Sequence, residues 1–184
     1  TRLDNLQNQN RLLTGQVEEL TNAIRQEKRS TRELYTSIDE RLGKFEPREV
    51  EVNGEKVMVQ PQEQAAYDAA VELLKAGDYK KAAAAFSTFG AEWPKSAYAA
   101  DAVYWRGSCL FALEQYKSTI NVQNSLIRSY PKHPRVADAM ISVASSQAAL
   151  GNVKAASATL AKVIKQYPNS DAAKTAAQLQ KTLK

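Results

Sequence analysis

Cys109 and His133 are the only cysteine and the only histidine of this 184-residue chain, and they bound the chemistry it could perform. A cysteine nucleophile needs a neighbouring base and surroundings that lower its pKa. Cys109 lies instead in an apolar helical stretch beside Leu110 and Phe111, where a buried structural thiol is the expectation. Being single, it excludes an intrachain disulfide and fits any redox compartment. His133 shares its place in a repeating pattern with Ser96 and Ser170, which have the character of helix N-caps, and so reads as a turn residue. No second histidine, cysteine cluster or carboxylate constellation accompanies either one, so neither a metal site nor a catalytic triad can be assembled. No Gly-rich phosphate loop is present. The expectation is no enzyme, no cofactor and no metal, with function residing in binding.

The elements that must position any binding side chains are repeats. Pro94, Pro131 and Pro168 stand 37 residues apart, preceded by Trp93, Tyr130 and Tyr167, with Tyr79, Tyr116 and Val153 fifteen residues upstream of each proline. Ala70, Gly107 and Ala144 recur in the same step, as do Ala76, Leu113 and Leu150. A period of this length predicts helix-turn-helix units. From Gln62 to Ala76 the apolar residues Ala66, Ala70, Leu73 and Leu74 recur at helical spacing, and Gly77-Asp78-Tyr79 breaks the run. A second helix buries Ala82, Ala83, Phe86, Phe89 and Trp93, and Pro94 stops it because proline lacks the amide hydrogen.

These columns resemble the tetratricopeptide repeat. The small residue of that pattern is supplied by Ala70, Gly107 and Ala144, its alanine by Ala82, Thr119 and Ala156, its large apolar residue by Phe86, Gln123 and Leu160, and its proline by the three prolines. Thr119 and Gln123 depart from the pattern, so packing in the second repeat is expected to be the least secure. A helix from Asp171 to Leu183 would cap the last repeat. The resemblance implies a concave groove lined by the first helix of each repeat: Gln64, Tyr67, Val71 and Leu74; Asp101, Tyr104, Ser108 and Phe111; Asp138, Ile141, Ser145 and Ala148. Tyr67, Tyr104 and Phe111 are the expected anchors for a partner, since aromatics give large contact area at low entropic cost. A core role fits each of them equally well. Trp105 reads as packed between helices.

The first 45 residues follow another rule. With Leu3, Asn10, Val17, Ile24, Thr31, Ile38 and Phe45 at heptad position a, position d holds Leu6, Leu13, Leu20, Glu27, Leu34 and Arg41, so nine of thirteen core positions are apolar. This predicts a coiled coil, which cannot be satisfied by one chain. Oligomerisation through Leu3, Leu6, Asn10, Leu13, Val17, Leu20, Ile24, Leu34 and Ile38 is expected. Asn10 is of the kind that fixes register, and the heptads by themselves allow dimer or trimer.

Between the two parts, Val50-Glu51-Val52-Asn53-Gly54-Glu55-Lys56-Val57 alternates around Asn-Gly, a signal for a β-hairpin with a type I′ turn. The alternative is an extended linker closed by Pro47 and Pro61. A hairpin would need a surface to dock on, either the coiled coil or its own copies in neighbouring subunits. The expected fold is therefore all-α: a coiled coil over 1–45, a linker with a candidate hairpin over 46–61, and three tetratricopeptide repeats with a capping helix over 62–184.

The net charge of +5 falls largely in the repeats, where residues 62–184 hold fifteen Lys or Arg against nine Asp or Glu. Read along the chain this excess is dispersed, which suits a solvated basic surface preferring acidic partners and not nucleic acid. No run of apolar residues is long enough to span a membrane. No signal-peptide pattern is present, and an opening inside a heptad is what a processed or trimmed chain would show.

The heptad segments Gly15-Gln16-Val17-Glu18-Glu19-Leu20, Arg32-Glu33-Leu34-Tyr35 and Ile38-Asp39-Glu40-Arg41-Leu42, followed by repeats containing Tyr104-Trp105-Arg106-Gly107, together resemble the CpoB (YbgF) family, cell division coordinators of the Tol-Pal system. Two features depart from that family: Arg106 replaces its usual leucine, and the linker is short, which restricts independent motion of the repeats. The resemblance implies a periplasmic, trimeric, non-catalytic adaptor that binds TolA and peptidoglycan-synthesis proteins and links outer-membrane constriction to septal wall synthesis. The alternative is a generic repeat scaffold or co-chaperone adaptor. The latter would hold a C-terminal carboxylate with lysine and asparagine where this chain has Tyr67, Val71, Tyr104 and Ser108.

Overall fold

The computed structural model describes residues 1–43 and 45–183, and the chain divides into two compact units, Thr1–Glu46 and Pro47–Lys184. The first unit is one α-helix, α1 (Arg2–Leu42), with no buried residue. At about 1.5 Å per residue it runs for roughly 60 Å. It ends before Phe45, so that heptad position falls outside the helix.

The second unit opens with a hairpin of β1 (Arg48–Val52) and β2 (Glu55–Val59), paired antiparallel with Val50 opposite Val57 and Val52 opposite Glu55. Asn53 and Gly54 have φ of 53° and 84°, the paired positive values that a type I′ turn requires. Alternation puts Val50, Val52, Val57 and Val59 on one face, with Val52 and Val59 buried. The hairpin docks on the repeats of its own chain, a surface that the sequence did not single out: Val52, Asn53 and Val57 border a cleft shared with Ala97, Ala100, Tyr130 and His133.

Six helices then form three antiparallel pairs, α2 (Pro61–Lys75) with α3 (Tyr79–Glu92), α4 (Ala99–Ala112) with α5 (Tyr116–Ser129), and α6 (Val136–Ala149) with α7 (Val153–Gln166), followed by α8 (Asp171–Thr182). The first helices of the pairs also touch in series, α4 on α6 and α6 on α8. Each pair turns through a left-handed residue, Gly77, Glu114 or Gly151, at φ of 77°, 57° and 79°. Each turn closes with the same bond from the following amide, Asp78 N to Leu73 O, Gln115 N to Leu110 O and Asn152 N to Gln147 O, so the leftover helix carbonyls are satisfied.

Core residues follow the 37-residue step. Ala70, Phe86 and Phe89 anchor the first repeat, Leu126 and Ala139 the junction of the second and third, and Ala144, Leu160 and Val163 the third with its capping helix. The second repeat carries Thr119 and Gln123 where its neighbours carry alanine and a large apolar residue, and both are fully buried. Thr119 Oγ1 donates to Gln115 O at 3.2 Å, and Gln123 Nε2 donates to Tyr104 O at 3.2 Å. The glycine at 107 makes room for the longer polar side chain.

Candidate peptide-binding surfaces

Helices α4, α6 and α8 frame a groove of about 320 Å³. Tyr104, Ser108 and Phe111 come from α4, Asp138, Ile141, Ser142 and Ser145 from α6, and Thr175 from α8. The α4 residues stand at helical spacing and so share a face. Phe111 is 36 % exposed, its ring set edge-on to Tyr116 at 5.6 Å. Burial, reinforced by the charge of Asp138, pushes the Tyr104 hydroxyl above the usual tyrosine range. Asp138 is exposed and makes no ion pair among the described residues. The groove thus offers two apolar contacts, several hydroxyls and one carboxylate.

Of the twelve residues expected along a groove, six line this one, Tyr104, Ser108, Phe111, Asp138, Ile141 and Ser145, while Gln64 and Ala148 do not. The other four are placed differently. Tyr67, Val71 and Leu74 pack against the core of the first repeat. Tyr67 stacks on Tyr98 at 4.4 Å and meets Phe86 and Phe89 edge-on, and burial carries its hydroxyl far above the usual range. Asp101 is 6 % exposed and is committed to partners within the chain.

Those partners tie the hairpin to the repeats. Asn53 Nδ2 donates to Asp101 Oδ2 at 2.9 Å and lies 3.1 Å from His133 Nε2. Arg135 Nε donates to Asp101 Oδ1 at 2.9 Å, and the Arg135 guanidinium lies over the rings of Tyr104 and Trp105 at 4.9 and 4.5 Å. His133 sits in the turn between α5 and α6, where its Nδ1 faces Arg135 N at 3.4 Å; Ser96 Oγ accepts from Tyr98 N at the equivalent place. It is therefore a turn residue, as expected, and also part of this clasp, which no local spacing in the chain signals. Cys109 is fully buried, its thiol pushed up to about 11 by burial.

The charges of the repeats sort by face. Helices α3, α5 and α7 carry Lys80, Lys81, Lys117, Arg128, Lys154, Lys162 and Lys165, all exposed, against the single acid Glu92. Helices α2, α4 and α6 carry the exposed acids Asp68, Glu72 and Asp138 and the buried acids Glu63 and Asp101, against Lys75 and Arg106. What reads as a dispersed excess along the chain is segregated in three dimensions, because first and second helices of each repeat line different faces.

On α1 the expected oligomerisation residues Leu3, Leu6, Leu13, Val17, Leu20, Ile24, Leu34 and Ile38 are between 39 and 67 % exposed, and Asn10 is exposed among them.

Residues 59–184 match the YfiO family model, described as an outer membrane lipoprotein, and residues 1–51 match a model described as TolA binding protein trimerisation. Two curated relatives, both the cell division coordinator CpoB of Pseudomonas putida, are 49 % identical over 41 residues, which is 22 % of this chain and 15 % of theirs. Among solved structures, the type III secretion chaperone SycD of Yersinia enterocolitica, in complex with a peptide of the translocator YopD, superposes with a TM-score of 0.59 at 16 % identity over 68 % of this chain and 94 % of that one. PcrH of Pseudomonas aeruginosa gives 0.58 at 14 % identity over 69 % of this chain and 95 % of that one. At such identities these two establish the helical-repeat fold.

Proposed function

We propose, for a chain that belongs to the YfiO family of outer membrane lipoproteins, that it serves as a non-enzymatic periplasmic adaptor, in which α1 joins copies of the chain and the repeats hold peptide segments of partners. TolA is the partner we assign, and a trimer the assembly. Contacts with peptidoglycan-synthesis proteins, coordinating outer-membrane constriction with wall synthesis in division, complete the reading. The observation that carries it is α1: an apolar seam exposed along the helix, over the residues that match the TolA-binding trimerisation model. Joining several repeat domains raises effective concentration at a shared target. A co-chaperone role is disfavoured by the groove, which presents the carboxylate of Asp138 and no cation to a C-terminus.

Sedimentation equilibrium of the intact chain, followed by calorimetric titration with the periplasmic region of TolA, tests the proposal. A trimer mass and saturable heat are expected, with Val17→Asp/Leu20→Asp reducing the mass to that of a monomer. A monomeric wild-type chain at micromolar concentration overturns the assembly, and absence of heat overturns the partner.

A further inference from the structure

Helix α4 touches α6 and α6 touches α8, whereas no comparable interface joins α5 to α7 among the described residues. Between those two outer helices, over α6, a cleft of about 570 Å³ remains, with Val136, Met140 and Val143 recessed at its base. Its floor is apolar, made by Ile127, Val136, Met140 and Val143. The rim is polar, and its one charge is Lys162. At the preceding junction the place of Val143 is taken by Arg106, so the apolar floor belongs to this junction. The helices flanking the cleft hold five exposed cations and no acid, and none of those cations is paired among the described residues.

We infer that this α5–α7 face is a second binding surface, which takes an acidic peptide segment of another protein. One apolar side chain of the segment seats over Met140 and Val143, and a flanking carboxylate pairs with Lys162. The volume suits a single large side chain with its adjoining backbone. Charge decides the class: an unpaired cation beside an apolar hollow favours a carboxylate next to a hydrophobe, and the surrounding cations steer acidic segments toward it. An anionic bilayer would meet the same positive field, but it offers nothing shaped to fill a discrete cleft. The surface is separate from the α4–α6–α8 groove, whose charge is negative, so the inference stands whether or not TolA occupies that groove.

The probe is a short blocked peptide with one phenylalanine flanked by aspartates, labelled for fluorescence anisotropy and titrated with the intact chain. Two controls replace the aspartates by lysines or the phenylalanine by serine. The acidic phenylalanine peptide is expected to bind best and to weaken as salt rises. Lys162→Glu, at an exposed position that leaves the helical circular dichroism unchanged, should weaken it by about threefold, the range of an exposed ion pair, and should improve the lysine peptide. Equal binding of the acidic and lysine peptides overturns the inference, as does full binding of the serine peptide or indifference to Lys162→Glu. Tighter, Lys162-dependent binding to phosphatidylglycerol vesicles than to the peptide would also overturn it and assign the face to lipid.

Discussion

Gln123 occupies the space that a β-carbon on Gly107 would need: such a carbon would stand 2.4 Å from Gln123 Nε2 and 2.5 Å from its Cδ. The glutamine is fully buried and cannot swing into solvent. Gly107→Ala is therefore expected to lower stability, an overpacking cost of about 1–3 kcal/mol partly offset by about 1 kcal/mol of helix propensity. Urea midpoints measure it. Because the two positions share one space, Gly107→Ala/Gln123→Ala should be more stable than the sum of the single changes allows; additivity would contradict the packing described.

Glu114 holds the left-handed turn that Gly77 and Gly151 hold in the other repeats. A side chain there costs about 1–2 kcal/mol and glycine's larger unfolded-state entropy takes back about 0.5–1 kcal/mol, so Glu114→Gly should raise stability by roughly 0.5–1 kcal/mol. A rise in thermal midpoint is the expected result.

Asp101→Asn removes the charge that Arg135 Nε meets at 2.9 Å. The carboxylate side chain is 9 % exposed and the guanidinium 35 %. Losing one partner of a fully buried pair costs about 3–5 kcal/mol, and screening at the more exposed arginine reduces the expectation to about 2 kcal/mol. Because Asn53 binds the same carboxylate, amide hydrogen exchange in β1 and β2 should quicken in this variant more than in α2; equal protection would show that the clasp does not hold the hairpin.

Cys109 is an acid whose pKa in the folded chain rises to about 11 through burial, above the usual thiol value of about 8.5. The neutral thiol is favoured by folding, so this contribution is fully present below the unfolded pKa and is lost as pH climbs toward 11. Native protein at neutral pH should resist maleimide, and labelling should appear only with unfolding. Rapid labelling of native protein would place the thiol at the surface.

Tyr104→Ala/Phe111→Ala should weaken TolA binding at least tenfold, about 1.4 kcal/mol, while circular dichroism stays unchanged. Unaltered affinity in a folded double variant moves the contact out of the groove. Loss of helicity would assign both rings to the core instead.

The features legible in the sequence were those written in local or periodic form. Pro94, Pro131 and Pro168 mark helix ends because proline acts on its own neighbours, and Asn53-Gly54 announces its turn for the same reason. The alternation of leucines and valines along α1 needs no knowledge of other elements. The clasp was hidden because Asn53, Asp101 and Arg135 are separated by 48 and 34 residues, and no spacing rule connects a hairpin tip to the junction of the second and third repeats. Tyr104 and Tyr67 occupy corresponding repeat positions, yet Tyr98 stacks on Tyr67 while Arg135 covers the ring of Tyr104. Repeat position alone could not separate a core aromatic from one beside the groove. The sorting of charge by face needed the pairing of helices before it could be seen.

The open end of the hairpin, where Arg48 faces Val59, is also the end at which the chain arrives from α1 and departs into α2. Tension between those two helices would peel the ladder one pair at a time instead of shearing all its hydrogen bonds together. Asn53, fastened at the far end to Asp101, would be the last point to give. Full release would pay out roughly 40 Å of extended chain at about 3.3 Å per residue, making the hairpin a folded slack in the chain that joins α1 to the repeats.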